Sequence, residues 1–446
     1  MLMQISPVTY KQIWKIAYPI ILGSIVQNII SVTDTAFLGH VGEIELGAAA
    51  IGGVFYLTLI MLGLGFSIGT QIIVARRYGE RRFGEIGEII EHSHYFLLLL
   101  ALVIFIPISS QLGGIFGSLL ESEEIRAASV DYLGVRIYGL FFAFLNFGFR
   151  AFYIGIGKTK VITWTTVFMA LINVFFDYAL IFGQFGFPEM GIRGAALASV
   201  IAESAALVFF ILHTRKWGHP NFFGLFRFKR FRFSLLRRIL KVSFPMMGQN
   251  LVSFTGWFFF FLFVEKMGER PLAVSNIIRS IYVIMLIPIM GFASATNTLV
   301  SQAMGREEQY NVFPIVGKVL KICLLSMGVM VMVILIMPSH VLSIYTNNQE
   351  LIHAALPVVY VISVSSFTIG AGFVVFSGVS GTGSTQISFI IEAITILLYI
   401  GVTYFLTRIP GAEIQYVWLV EIFYGLSITF ASLFYLKFGK WQHRIV

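Results

Sequence analysis

The run from Ile16 to Leu38 is apolar along almost its whole length and carries one charged residue, Asp34. A stretch of that length crosses about 30 Å of hydrocarbon as a helix. Comparable runs recur at Tyr95–Pro107, Val161–Gly183, Ala195–His213 and Ile387–Leu406, long enough alone or with their neighbours. Segments of alternating polarity, the mark of a membrane barrel, are missing. Only 12% of the residues are charged and 57% are hydrophobic, where soluble domains hold about 25% charged residues. The chain therefore reads as an all-α membrane protein. Its first run is too long for a signal-peptide core and lacks a small-residue cleavage site, so it is expected to remain as the first spanning helix.

Twelve transmembrane helices are expected near 16–38, 46–74, 90–112, 128–154, 161–183, 191–214, 239–264, 272–300, 313–337, 352–378, 387–407 and 413–436. The net charge of +9 follows the positive-inside rule. With both termini cytoplasmic, the basic residues crowd the cytosolic connections, with nine between Arg215 and Lys241. The opposite side holds Arg126, Arg193, Lys266, Arg270 and Arg408. The basic balance thus reports topology in an inner (plasma) membrane, and nucleic acid is not an expected partner. The stretch Phe226-Arg-Phe-Lys-Arg-Phe-Arg-Phe233 reads as an interfacial linker, with Phe at the acyl boundary and the cations at anionic headgroups. Cys323 is the single thiol, so no disulfide framework exists.

A constant offset superimposes one half of the chain on the other without a gap. It pairs Lys15 with Lys241, Pro19 with Pro245, Gly42-Glu43 with Gly268-Glu269 and Tyr56 with Tyr282. Further along it pairs Gly65-Phe66 with Gly291-Phe292, and Gly155, Gly157 and Thr159 with Gly381, Gly383 and Thr385. Apolar segments match by composition alone, so the Gly, Pro and Thr identities carry the duplication. Six helices per half leave both halves in one orientation, as two six-helix lobes related by pseudo-two-fold symmetry along the membrane normal. The expected divisions are an N-lobe at 1–214, a basic cytosolic linker at 215–238 and a C-lobe at 239–446.

A carboxylate at helix depth costs about 2.5–3.5 kcal/mol on insertion scales, so each demands a reason. Asp34, Asp177, Glu203, Glu392 and Glu421 are of this kind. Asp34 lies near the outer end of the first helix and Asp177 near that of the fifth. Asn173 is one turn before Asp177 on the same face, and Ser199 sits a similar distance into the sixth. At 1.5 Å per residue these four share a layer about 8–12 Å deep, where they could bind a small cation or share a proton. The competing reading is an ion pair with Arg136, at similar depth in the fourth helix. Glu203, one turn below Ser199, is either a deeper member of that network or a satisfied structural acid. The repeat places Phe260, Tyr399 and Thr403 where Asp34, Asn173 and Asp177 stand, so the layer is not duplicated. Glu421 is expected to pair with Arg279, and Glu392 to snorkel toward the cytosol. Pro19 removes a backbone hydrogen bond early in the first helix and permits a kink.

Enzyme signals are weak. His92 and His94 have no third ligand nearby, and Gly378-Val-Ser-Gly-Thr-Gly383 lacks the Gly-Lys-Ser/Thr ending of a phosphate loop. The loop from Arg76 to Arg82 superficially looks like that of a major facilitator but lacks its Asp.

Taken in order, several segments resemble the multidrug and toxic compound extrusion (MATE) family, in its DinF-like prokaryotic branch. They are Tyr18-Pro19, Val-Thr-Asp-Thr-Ala-Phe-Leu-Gly39 around Asp34, Asn173-Val-Phe-Phe-Asp177, Gly191-Ile-Arg-Gly-Ala-Ala-Leu-Ala-Ser199 and Gly155-Ile-Gly-Lys-Thr159. The resemblance implies a monomeric multidrug efflux antiporter, associated with antibiotic resistance, that rocks two lobes around a central cavity. H⁺ or Na⁺ would be the coupling ion and no cofactor would be needed. It also implies an N-lobe Na⁺/H⁺ site at Asp34, Asn173 and Asp177, with Ser199 in place of a Thr; Glu203 and Arg136 are candidate accessories by their depth alone. The Phe-rich seventh helix and an acid-free tenth depart from branches with a C-lobe site. Three other readings remain: a lipid-linked oligosaccharide or peptidoglycan-precursor flippase, which would call for a more cationic cavity, a channel, and an intramembrane enzyme.

Overall fold

Helix boundaries follow the glycines and prolines that the repeat preserves. The computed structural model describes residues 8–442 and 444, and among these it contains helices and no strand. The first repeat holds α1 (Tyr10–Val41), α2 (Glu43–Gly79), α3 (Phe83–Leu119), α4 (Glu123–Arg136), α5 (Gly139–Gly155), α6 (Lys160–Ile181) and α7 (Gly191–Trp217). A short α8 (Pro220–Phe223) follows. The second repeat holds α9 (Phe233–Glu265), α10 (Glu269–Gly305), α11 (Val312–Ile336), α12 (Pro338–Ser343), α13 (Gln349–Gly381), α14 (Thr385–Leu406), α15 (Ile414–Trp418) and α16 (Val420–Phe438). Eleven of these segments are long and apolar enough to cross a membrane, and the pair α4–α5, bent by 47°, makes a twelfth.

The repeat extends to the helix ends. α2 and α10 begin and end at equivalent positions, Gly42 and Gly268 preceding them. The backbone at Gly268 has φ 115°, a conformation that a side chain would strain. The span from Glu123 to Gly155 likewise coincides with Gln349–Gly381. The second copy is one continuous helix, α13, and the first is broken after Arg136. The expected fourth span at 128–154 is present as the bent pair, with the break between Arg136 and Gly139.

The chain divides into two compact units that differ from the expected lobes. One comprises Leu22–Met247, and the other holds the residues up to Ile21 together with those from Gly248 onward. The divisions fall within α1 and α9, each two residues beyond the proline. α1 runs as one helix through Pro19. Glycines supply the close approaches that hold the exchanged ends. In the first unit a β-carbon at Gly65 would collide with the backbone of Met246 and Met247, and one at Gly69 with Ser243. In the second, Gly291, the equivalent of Gly65, lies against Ile21 and the Ala17 carbonyl. Trp14 packs edge-on against Phe292 there, with ring centroids 5.4 Å apart. The starts of α1 and α9 are thus each assigned to the unit built mostly from the opposite repeat.

The basic linker is held by acids at the start of α3. The Glu91 carboxylate accepts the backbone N–H groups of Arg227 (2.8 Å), Phe228 (3.0 Å) and Lys229 (3.4 Å). Glu88 pairs with Arg232 at 2.6 Å. His92 Nε2 accepts from the Arg232 N–H at 2.8 Å while its Nδ1 faces the Glu88 carbonyl. His94 bonds the Leu145 carbonyl, so both rings serve packing. Phe228, Phe231 and Phe233 remain exposed on this ribbon.

Candidate functional site

Asp34, Asn173, Asp177, Ser199, Glu203 and Arg136 all lie in the unit Leu22–Met247, whereas Pro19 lies in the other. α1 contributes Asp34 and α6 contributes Asn173 and Asp177, spaced so that one turn brings the latter two onto a common face. Asn173 is 1% exposed and Asp177 is fully buried. Asp34 is partly buried, and its carboxyl interacts directly with that of Asp177. Among the described residues, both oxygens of Asp177, both amide atoms of Asn173 and Oδ1 of Asp34 have no hydrogen-bond partner. A buried polar group left in that state costs about 1–3 kcal/mol. Five such atoms lie on these three side chains.

The surroundings favour a small cation. The free atoms are mostly carboxyl and amide oxygens, donors suited to a proton or a hard ion. One turn beyond the acids lies an apolar cluster. Leu38, one turn past Asp34, and Ile181, one turn past Asp177, pack with Ala48, Ile192 and Ala195. Phe37, Phe182 and Tyr132 press on the same cluster.

Arg136 does not pair with the aspartates. Its guanidinium forms a two-pronged bond with Glu203 of α7, Nη1 to Oε2 at 2.9 Å and Nη2 to Oε1 at 2.5 Å. Tyr56 of α2 lies under the guanidinium at 3.9 Å, and its hydroxyl reaches Glu203 at 3.4 Å. The Asn146 amide donates to the Glu203 carbonyl. A β-carbon at Gly139 would collide with the Arg136–Glu203 pair. The α4–α5 break therefore coincides with a charge pair that needs a glycine beside it. Arg136 still acts on both aspartates electrostatically. The competing reading, an ion pair of the aspartates with Arg136, is replaced by the Arg136–Glu203 pair, and Glu203 is a satisfied acid. Ser199 is partly buried and makes no hydrogen bond with Asn173 or Asp177.

Two further corrections concern the other unit. Glu421 accepts from the hydroxyls of Tyr282 (2.6 Å) and Tyr399 (2.8 Å). Arg279 lies instead over the Phe261 ring. Glu392 does not snorkel: it is 1% exposed and bonded by Ser253 and Tyr424. The tyrosines were the missed signal. Tyr56 and Tyr282 occupy equivalent positions, and each reaches an acid on the last helix of its repeat.

The comparisons follow the same duplication. The MatE family model matches twice, at residues 19–179 and 245–405. The two matches are displaced by the offset that relates the halves. Over 451 residues the chain is 27% identical to "Probable multidrug resistance protein NorM" of Thermotoga maritima, covering 99% of this chain and 95% of that protein. It is 22% identical to "Probable multidrug resistance protein YoeA" of Bacillus subtilis, covering 98% and 94%. A solved structure described as an outward-facing multidrug resistance MATE family transporter superimposes with a TM-score of 0.88 at 20% identity, over 96% of this chain and 95% of that one. With both repeats matched by the family model, the chain belongs to the MATE family of membrane transporters.

Proposed function

We propose that the protein is a cation-coupled antiporter that exports amphipathic, cationic compounds by alternating access. The observation that carries this reading is the facing carboxyls of Asp34 and Asp177 beside Asn173, largely without donors, at helix depth in a MATE-family chain. The names of the Thermotoga and Bacillus relatives support the drug-export part. H⁺ or Na⁺ would be carried as a transported ion, held by Asp34 and Asp177 with the Asn173 amide. Two close carboxyls cannot both stay ionised without a compensating cation, so loading and unloading would alternate with conformation. One charge moving inward supplies about 2.3 kcal/mol per 100 mV. The chain passes from one unit to the other within α1 and α9, two residues beyond Pro19 and Pro245. Both termini would face the cytoplasm, in the plasma membrane.

The test is ethidium export from proteoliposomes with a pH gradient and a Na⁺ gradient imposed separately. Export is expected under one gradient and lost in Asp34→Asn, with the variant still folded by size exclusion. Wild-type export by Asp34→Asn would sink the assignment.

A further inference from the structure

The second unit carries acid chemistry that the aspartate site does not use. Glu392 stands on α14, 1% exposed, with Oε1 accepting from Ser253 Oγ of α9 at 2.5 Å and from Tyr424 Oη of α16 at 2.9 Å. Its other oxygen, Oε2, is buried and has no partner. One turn before Ser253, the Gln249 side-chain oxygen Oε1 is also buried without a donor, while the Gln249 backbone carbonyl lies 3.0 Å from Ser253 Oγ and shares its hydroxyl with Glu392. Glu421 differs, since each of its oxygens accepts from a tyrosine.

The charged and titratable neighbours can be named element by element. Tyr424 on α16 and Ser253 on α9 contact Glu392 directly. Tyr424 also feels Glu421 on its own helix, and through it Tyr399 on α14 and Tyr282 on α10. Among the described residues no Lys, Arg or His pairs with Glu392. A lone carboxylate in this setting must be neutralised, and a bound metal ion would need several more oxygen ligands. Glu392 Oε2 and Gln249 Oε1 are both buried acceptors short of a donor.

We propose that Glu392 is a second, exchangeable proton site of this transporter, Oε2 taking and releasing the proton while Ser253 and Tyr424 hold Oε1. The step is a simple transfer: water delivers H⁺ to the carboxylate and the same O–H bond breaks on release. The site lies in a different unit from Asp34 and Asp177, at positions the repeat does not pair with them.

Infrared difference spectra of the purified full-length protein between acid and alkaline buffers test it. A carboxylic-acid C=O component is expected to appear on acidification, to vanish in Glu392→Gln and to persist in Asp34→Asn. Should Glu392→Gln fail to fold, Tyr424→Phe supplies the reading. It removes one donor from the carboxylate and displaces the midpoint of the same component by about one pH unit, leaving the others in place. A wild-type spectrum in Glu392→Gln, or an unmoved midpoint in Tyr424→Phe, overturns the proposal. So does suppression of the component by Na⁺ at constant pH, which would make the ligand a metal ion.

Discussion

Asp34 and Asp177 look alike in sequence to Glu203 and Glu421, each an acid within an apolar run. The structure separates them by what surrounds each oxygen. Glu203 receives a two-pronged guanidinium and Glu421 two tyrosine hydroxyls, whereas Asp34 Oδ1 and both oxygens of Asp177 receive no donor and the two carboxyls face each other. The spacing of Asn173 and Asp177 was readable because one helix carries both. The partner of Arg136 was not, since it depends on how α4 and α7 pack. Removing one member of a mostly buried pair costs about 3–5 kcal/mol, so Arg136→Met should lower the thermal midpoint sharply. The double variant Arg136→Met/Glu203→Leu should recover most of that loss. If both fall equally in a thermal melt, Glu203 is not the partner that matters.

At the scale of elements, close approach rather than propensity decides what each helix tolerates. Gly65 and Gly47 lie on the same helix, α2. A side chain at Gly65 would meet the α9 backbone, and one at Gly47 meets nothing within 4 Å. Gly65→Val is expected to abolish stable expression, while Gly47→Val stays near wild type in the same melt. The helix pattern was legible because hydrophobicity and length suffice for it. The break between Arg136 and Gly139 was not, because no proline or turn motif marks it. It arises where a charge pair crowds one side of the helix, and the second copy has Ile362 and Ser365 at these positions. The linker makes a separate prediction. Glu91→Ala removes the acceptor for three backbone N–H groups, at about 1–3 kcal/mol of local order. Trypsin should then cut faster between Arg227 and Arg232, read by mass spectrometry, and an unchanged rate would show the anchoring to be irrelevant.

For the whole molecule, the offset found in the sequence reappears in the helix ends of α2 and α10 and in the doubled family match. Duplication leaves identities in register, which is why it was readable. The assignment of segments to units was not, because it follows tertiary contact and ignores the linker. Orientation is open to a direct test, since the only cysteine, Cys323, is fully buried. A cysteine introduced at Arg81 should react with an impermeant maleimide in inside-out vesicles and resist it in intact cells. The reverse labelling would invert the topology.

The starts of α1 and α9 each belong to the unit made mostly from the other repeat. A single repeat cut free at the linker would therefore lack a piece of its own wall and carry a piece of its neighbour's. Two copies of such a half could complete themselves only by trading those ends, as an interlocked dimer. Fusion into one chain makes the trade permanent. Severing the chain within the linker should accordingly give fragments that are inert apart and regain export when made together in one cell.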